Sequence, residues 1–221
     1  MDRKELNKNQ TKLRDELLKF ENIELIKQMF LKHHAHLHSL KVYKNSSWSY
    51  ADEILDGVSE AKIRFIPQKL NHSIAWCFWH LARIEDVTMN TLVENEEQIL
   101  TSDNYLKKLN VKFTDTGNGM TPEEVAELSK AINIDELINY RTAVGKKTER
   151  IVKKLTLKKL KEKISQTSID RLFKEKALRK NAKGIAEYWS KKTVAGLLLM
   201  PATRHNILHL NEANNLLKKR K

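Results

Sequence analysis

The sequence predicts an all-α fold, a bundle of long helices, and three observations carry that prediction. Gly (6) and Pro (3) are scarce in 221 residues, too scarce for a β fold that must turn every ten residues or so. Long stretches place apolar residues at the helical period. Ser, Thr or Asn caps precede several of those stretches. The 40% hydrophobic share is enough to build a core.

The elements follow in order. Residues 3–43 read as one long helix, because Leu13, Leu17, Phe20, Ile23, Leu25, Ile26, Met29, Phe30 and Leu37 recur near helical spacing with no Gly or Pro between them. Asn45-Ser46-Ser47 is a loop, and short helices follow Ser49 (Tyr50–Asp56) and Ser59, the second ending at Pro67. The next helix starts near Asn71–Ser73 and runs to about Asn95. Its segment Ile74–Ala82 is apolar nearly all round, as suits the middle of a bundle. Residues 96–120 form an excursion. Thr121-Pro122-Glu123-Glu124 is a helix start, with a cap, a proline at the first position and acids at the positive end. Asn133 with Glu136 caps a long helix over about 134–155. Shorter helices follow at 157–164 and 169–178, the latter capped by Ser168. The last helix runs from Ser190 or Lys191 to about Leu217, kinked or restarted at Pro201. The whole chain, 1–221, reads as one domain with a basic helical insertion at about 146–183.

The net charge of +13 is uneven. Residues 146–183 hold 15 Lys/Arg against 4 Asp/Glu, whereas 85–136 are net acidic, with 12 Asp/Glu against 4 Lys/Arg. Lys218-Lys219-Arg220-Lys221 add a basic tail. In 151–164 the apolar residues Ile151, Leu155, Leu157, Leu160 and Ile164 keep near-helical spacing, so the lysines between them read as the solvated face of a packed helix. A phosphate-binding stripe is the other reading. Lysine dominates over arginine, and sites that fork onto phosphates or bases favour arginine. The single Cys excludes an internal disulfide and a Cys-rich zinc module. The longest apolar run, Val194–Met200, is too short to span a bilayer, and the N-terminus is too polar for a secretory signal. A soluble, cytoplasmic protein with no membrane partner is the expectation.

The eight histidines carry the chemistry. His34/His38 and His205/His209 are both four residues apart, a spacing that stacks two imidazoles on one helix face where they can grip one metal ion. His80 stands alone in the most apolar helix and needs a polar partner there. Together with His205 and His209 it makes a three-ligand site open at one position. The alternative is that His80 and His209 are core histidines bonded to backbone or carboxylate. His34 and His38, in a run with His33 and His36, read as a wet helix end, with pocket lining as the second reading. Cys77 is either a small buried hydrophobe or a fourth ligand. Glu212, three residues after His209 on the same face, orients a ligand or serves as a general base, and a solvent-facing Glu is the equal alternative. Arg83 and Arg204 are candidates for holding an anionic substrate group.

Asn71–Trp76 followed by Trp79-His80-Leu81-Ala82-Arg83-Ile84-Glu85-Asp86-Val87 resembles the second helix of the DinB/YfiT-like superfamily, and Thr203–Ala213, with its His-x-x-x-His, resembles the last. The resemblance implies an up-down-down-up four-helix bundle, here with extra short helices between helices two and four. It implies a divalent metal, nickel or zinc first and iron or manganese second, held by His80, His205 and His209. It also implies a small-molecule partner such as a low-molecular-weight thiol, and a homodimer; His38, which does not map onto the family pattern, is a further candidate for substrate binding near the site. The expected function is a metal-dependent enzyme, a thiol-dependent S-transferase or a hydrolase. The alternatives are a metal-stabilised bundle without catalysis and a nucleic-acid-binding stress protein.

Overall fold

The computed structural model describes residues 3–219. Arg220 and Lys221 of the basic tail lie outside the described residues, as do Met1 and Asp2. Among the described residues the regular structure is helical, save an isolated antiparallel bridge between Lys163 and Thr193. No helix among them is long and apolar enough to cross a membrane.

The helix expected over 3–43 is in fact two, α1 (Arg3–Lys19) and α2 (Ile23–Leu37). Phe20 takes a φ of 51°, a left-handed conformation costly for a bulky residue. Asn22 then caps α2 by accepting from the Leu25 N–H (3.0 Å). The two helices pack against each other, and Leu13, Leu17, Ile26 and Phe30 enter one core. Periodicity hides the break because both helices bury their apolar stripe in the same place.

The serine caps are where the sequence puts them. Ser49 starts α3 (Tyr50–Leu55) and Ser59 starts α4 (Glu60–Arg64). Ser73 caps α5 (Ile74–Asp86), in which every side chain is buried. This helix runs on as a π-helical stretch, Val87–Glu94, and stops at Asn95 in left-handed conformation. Two short turns, α6 (Ile99–Ser102) and α7 (Tyr105–Lys108), occupy the excursion. Thr121 and Glu124 form a reciprocal capping box on α8 (Pro122–Ala131), and Asn133 caps α9 (Ile134–Lys154).

Later boundaries differ from expectation. After α10 (Leu157–Lys161), α11 (Gln166–Lys174) is capped by Ser165; Ser168, expected as the cap, donates its N–H to the Ser165 hydroxyl from inside the first turn. An unforeseen α12 (Lys183–Ser190) intervenes, and Thr193 rather than Ser190 caps α13 (Val194–Leu199). Around Pro201 the chain widens into a π-helical turn, Met200–Arg204, before α14 (His205–Leu217). Proline has no N–H to donate and crowds the preceding turn. The Thr203 hydroxyl compensates by donating to the Leu198 and Leu199 carbonyls (2.9 Å each), and the Asn206 amide donates to those of Pro201 and Ala202.

Helix α5 is the centre, packed against α9 and α14, with α4 and α8 along its first half. Its apolar residues up to Ala82 belong to one cluster, with Leu137, Tyr140, Ile207 and Leu210. From Ile84 onward the helix serves a second cluster, with Phe30, Ile151, Leu172 and Leu198. At the changeover stand Arg83, Glu85 and Asp86, all buried. The basic segment turns Ile151, Val152, Leu155, Leu160 and Ile164 into the second cluster and leaves Lys153, Lys154, Lys158 and Lys161 exposed.

Candidate metal centre

The cap at Ser73 and the π turn before His205 set the registers of α5 and α14, and the two helices bring His80, His205 and His209 together. Their ring centroids form a near-equilateral triangle with sides of 4.9, 4.8 and 4.6 Å. The candidate ligand atoms of the three all lie within 4.8 Å of one another, so the group could hold a metal ion. His80 is fully buried and the other two partly so.

The hydrogen bonds behind the rings decide which nitrogens face inward. His80 Nδ1 contacts the Thr116 carbonyl, which can only accept, so Nδ1 carries the proton and Nε2 presents a lone pair. His209 Nδ1–H likewise donates to Glu212 Oε2 (2.7 Å), leaving its Nε2 bare. His80 Nε2 accepts from His205 Nε2–H at 3.1 Å, a proton that a bound ion would displace. Nitrogens on one tetrahedral zinc stand about 3.4 Å apart. His205 Nδ1 is buried without a partner. The donor set therefore fits a divalent cation: three imidazoles, two of them turned by acceptors behind them. Burial pushes the His80 imidazole down to about 3 and the His205 imidazole well below its ordinary value, where the neighbouring rings add to the effect. Neutral rings are what a metal needs.

Glu212 sits behind this triangle. Its Oε2 accepts from His209 and its Oε1 from His72 Nδ1, both at 2.7 Å. Burial works against its charge, yet the two N–H donors hold its carboxyl down to about 2. A carboxyl that weakly basic suits the orienting role better than that of a general base. The sequence reading did not assign His72 to the site. It stacks on Trp76 (3.6 Å), which in turn stacks on His80 (4.6 Å). Cys77 is buried, and it shares a second possible ligand group with His209 and Glu212. Burial, with Glu212 beside it, pushes its thiol pKa up, which opposes a thiolate ligand.

The other expected site residues lie elsewhere. Arg83 is no anchor for substrate: its guanidinium is fully buried and donates to Asp86, Tyr140, Gln98 and the Thr114 carbonyl. Arg204 is exposed and donates to Asn7 on α1 (2.9 Å), in a surface hollow with Gln10, Arg14 and Met200. His34 and His38 are no wet helix end either; both are buried. Each donates Nε2–H to one oxygen of Glu85 (2.9 Å), which also accepts from the Thr148 hydroxyl (2.7 Å) and the Asn206 amide (3.2 Å). Arg141 donates to Asn206 Oδ1 and extends this network. His38 thus belongs to a closed carboxylate network rather than to a substrate surface.

A cavity of about 740 Å³ abuts Glu212 and His72. Lys69, Lys218 and Lys219 line it, with Asn71, Asn211 and Asn215, and Leu70 and Leu208 add apolar wall. Among the described residues its one carboxylate is that of Glu212, both of whose oxygens are engaged. Sequence reading saw Lys218 and Lys219 only as a charged tail; Lys69, 149 residues earlier, gave no signal.

The sequence profile of the DinB superfamily matches residues 45–213. A crystal structure of a conserved protein from Enterococcus faecalis superposes with a TM-score of 0.57 at 18% identity, over 76% of this chain and 87% of that one, a likeness of fold. No curated protein matches the chain significantly by sequence.

Proposed function

The chain belongs to the DinB superfamily, and we propose that it is a metal-dependent enzyme of that superfamily, with a divalent ion, nickel or zinc, held by His80, His205 and His209. The observation that carries this reading is the convergence of three imidazoles, two of which, His80 and His209, have their inward nitrogens set from behind by Thr116 and Glu212. Bound there, the ion would act as a Lewis acid that lowers the pKa of a thiol or of water.

The chain's own residues supply the rest. Glu212 and the Thr116 carbonyl fix ring orientation. Trp76, stacked over His80, shields one side from solvent. The three lysines of the neighbouring cavity favour a substrate bearing a carboxylate or phosphate. Thiol S-transfer is the reaction tested first, with hydrolysis second. In S-transfer the thiol gives up its proton, its sulfur forms a bond to an electrophilic carbon, and the leaving group departs from that carbon.

The test is a metal assay of the purified protein together with conjugation of glutathione or cysteine to 1-chloro-2,4-dinitrobenzene. The expected result is one metal per chain and a conjugation rate abolished by chelator and restored by nickel or zinc. A protein that retains no divalent metal when supplied with it removes the reading. A metal that binds stoichiometrically but supports neither conjugation nor hydrolysis reduces the centre to a structural one.

A further inference from the structure

We propose that the strand of chain at 175–182, within the basic segment that the sequence reads as a solvated insertion, is a working part of the metal centre: it positions His80. The inference rests on the three-histidine reading above and assigns the insertion a task within it.

His80 is held from behind its ring. Its Nδ1–H needs an acceptor, and the acceptor is a loop carbonyl, that of Thr116, rather than a helix-borne side chain. A loop carbonyl stays in place only if the loop does. The Thr116 N–H donates to the Ala177 carbonyl (3.0 Å), so the same peptide segment that orients His80 hangs from the insertion. Two residues earlier, the Thr114 hydroxyl donates to the Lys176 carbonyl (3.2 Å). Between them, Asp115 uses one oxygen to accept from the Gly117 N–H (2.7 Å) and the other to accept from Arg179 Nε (2.8 Å). Arg179 also donates to Glu124 at the start of α8 (2.5 Å).

The opposite side of the loop is fixed as well. Arg83, from α5 itself, donates to the Thr114 carbonyl (2.7 Å). Gly117 has a φ of +85°, and a Cβ there would stand 2.7 Å from the Trp79 ring. The loop is thus gripped between the helix that carries His80 and a segment about sixty residues downstream in sequence. Thr116 is completely buried, so no water can replace the missing acceptor if the loop moves. Arg179 is the one side chain of the insertion that ties both Asp115 and α8 to this loop. It acts on the metal through Thr116 and His80, and it is a positioning residue.

The experiment uses the full chain in two states. In the metal-free protein, ¹⁵N-detected ring correlations report the His80 tautomer. In the loaded protein, competition with a chromophoric chelator reports zinc affinity. The wild type is expected to show a single Nδ1–H tautomer with a slowly exchanging ring proton. Arg179→Ala is expected to give mixed tautomers and roughly 10–100-fold weaker zinc binding, the scale of lost second-shell partners, with helix content unchanged. Arg179→Lys, which can still reach Asp115, is expected to restore most of both. Should Arg179→Ala not fold, Asp115→Asn reads the same contact, keeping the acceptor for Gly117 and losing the charge. Glu124→Gln takes the charge from the other arm of Arg179 while keeping one acceptor oxygen, and is expected to leave tautomer and affinity within about twofold, provided the effect runs through Asp115. A single unperturbed tautomer with wild-type affinity in Arg179→Ala overturns the proposal. So does an equal loss in Glu124→Gln, which would mark a general loosening. A wild type that binds no zinc at all rejects the metal-centre reading, whereas the metal-free tautomer measurement still judges the positioning claim.

Discussion

The chain carries two His-x-x-x-His pairs, and the structure uses them in opposite ways. At His205/His209 the carboxylate of Glu212 lies behind the ring and takes Nδ1–H, so Nε2 looks inward with a lone pair. At His34/His38 the carboxylate of Glu85 lies in front and takes both Nε2–H groups, so no lone pair is left facing it. Both clusters meet a simple distance criterion for a metal site. In the first, His80 and His209 already turn a lone pair inward and only His205 would have to give up an inward proton. To bind a cation, His34 and His38 would each have to move a proton to Nδ1. The Tyr43 hydroxyl could accept it at His34, but His38 Nδ1 is buried with no partner, pressed toward Gly145, where a Cβ would approach to 2.6 Å. Spacing proposes a ligand pair, and the location of the acceptor decides whether it becomes one.

The sharpest break of this comparison is a metal count. His205→Ala is expected to take the loaded protein from one divalent metal per chain to none, measured by inductively coupled plasma mass spectrometry after gel filtration. His34→Ala is expected to leave the count at one in whatever fraction folds. Two metals in the wild type, or one in His205→Ala, would erase the contrast.

Stability inverts the ranking. Glu85 is a fully buried carboxylate saturated by four donors. Removing it strands those donors in a dry interior, and losing one partner of such a buried network costs about 3–5 kcal/mol. Glu85→Ala is expected to lower the urea-unfolding free energy by that amount. Without metal, His205→Ala is expected to cost far less, because it breaks a single ring-to-ring hydrogen bond, to His80 Nε2, and His205 Nδ1 has no partner to lose. Equal losses in the two variants would show that the front carboxylate does not distinguish the clusters.

Much of this was legible in the sequence, and what was not has a physical cause. The caps at Ser49, Ser59, Ser73, Thr121 and Asn133 are local, because the capping side chain and the amide it serves are two or three residues apart. The three-histidine group was legible through the resemblance of its two segments to the superfamily; the i, i+4 spacing and the lone His80 by themselves left a core-histidine reading open. The break at Phe20–Asn22 was not, since a continuous stripe is compatible with two helices folded onto one core. Nor was the fate of His34 and His38, whose partner Glu85 is 51 and 47 residues away. Arg83 looked like a site residue because it flanks His80, but flanking along a helix says nothing about which side the guanidinium takes. Its partners Gln98, Thr114 and Tyr140 come from segments with no local signature.

The role of the rear carboxylate gives a smaller, graded test. Glu212→Ala removes the acceptor of His209 Nδ1–H but no ligand, and zinc affinity is expected to fall about 10–100-fold, with the stoichiometry at saturation unchanged. His72→Ala removes only the second donor to Glu212 and is expected to move affinity by less than threefold, read by the same chelator competition. A complete loss of metal in Glu212→Ala would make the carboxylate a ligand. That would bring the first cluster closer in kind to the second.

The smallest effect is one of slope. Burial pushes His38 down to about 3, whereas in the unfolded chain it binds a proton near pH 6.5. Between those values the unfolded state holds more protons, so stability rises with pH. The contribution of His38 is complete above about pH 6.5 and is lost as pH falls toward 3. Burial works against the charge of Glu85, but His38 and His34 hold its carboxyl well below the usual range. Its contribution is present above about pH 4.5, the unfolded value, and is lost on further acidification, in the same direction. In the metal-free protein His80 and His205 add losses of the same sign, so a single replacement removes only part of the slope. His38→Gln can still donate to Glu85 but cannot titrate. It is expected to flatten the dependence of unfolding free energy on pH between 4.5 and 6 by up to about 1.4 kcal/mol per pH unit, one proton's worth. An unchanged slope would mean that His38 is already protonated in the folded protein. The front carboxylate would then face an imidazolium, and the second pair would be a buried salt bridge in place of a neutral hydrogen-bond network.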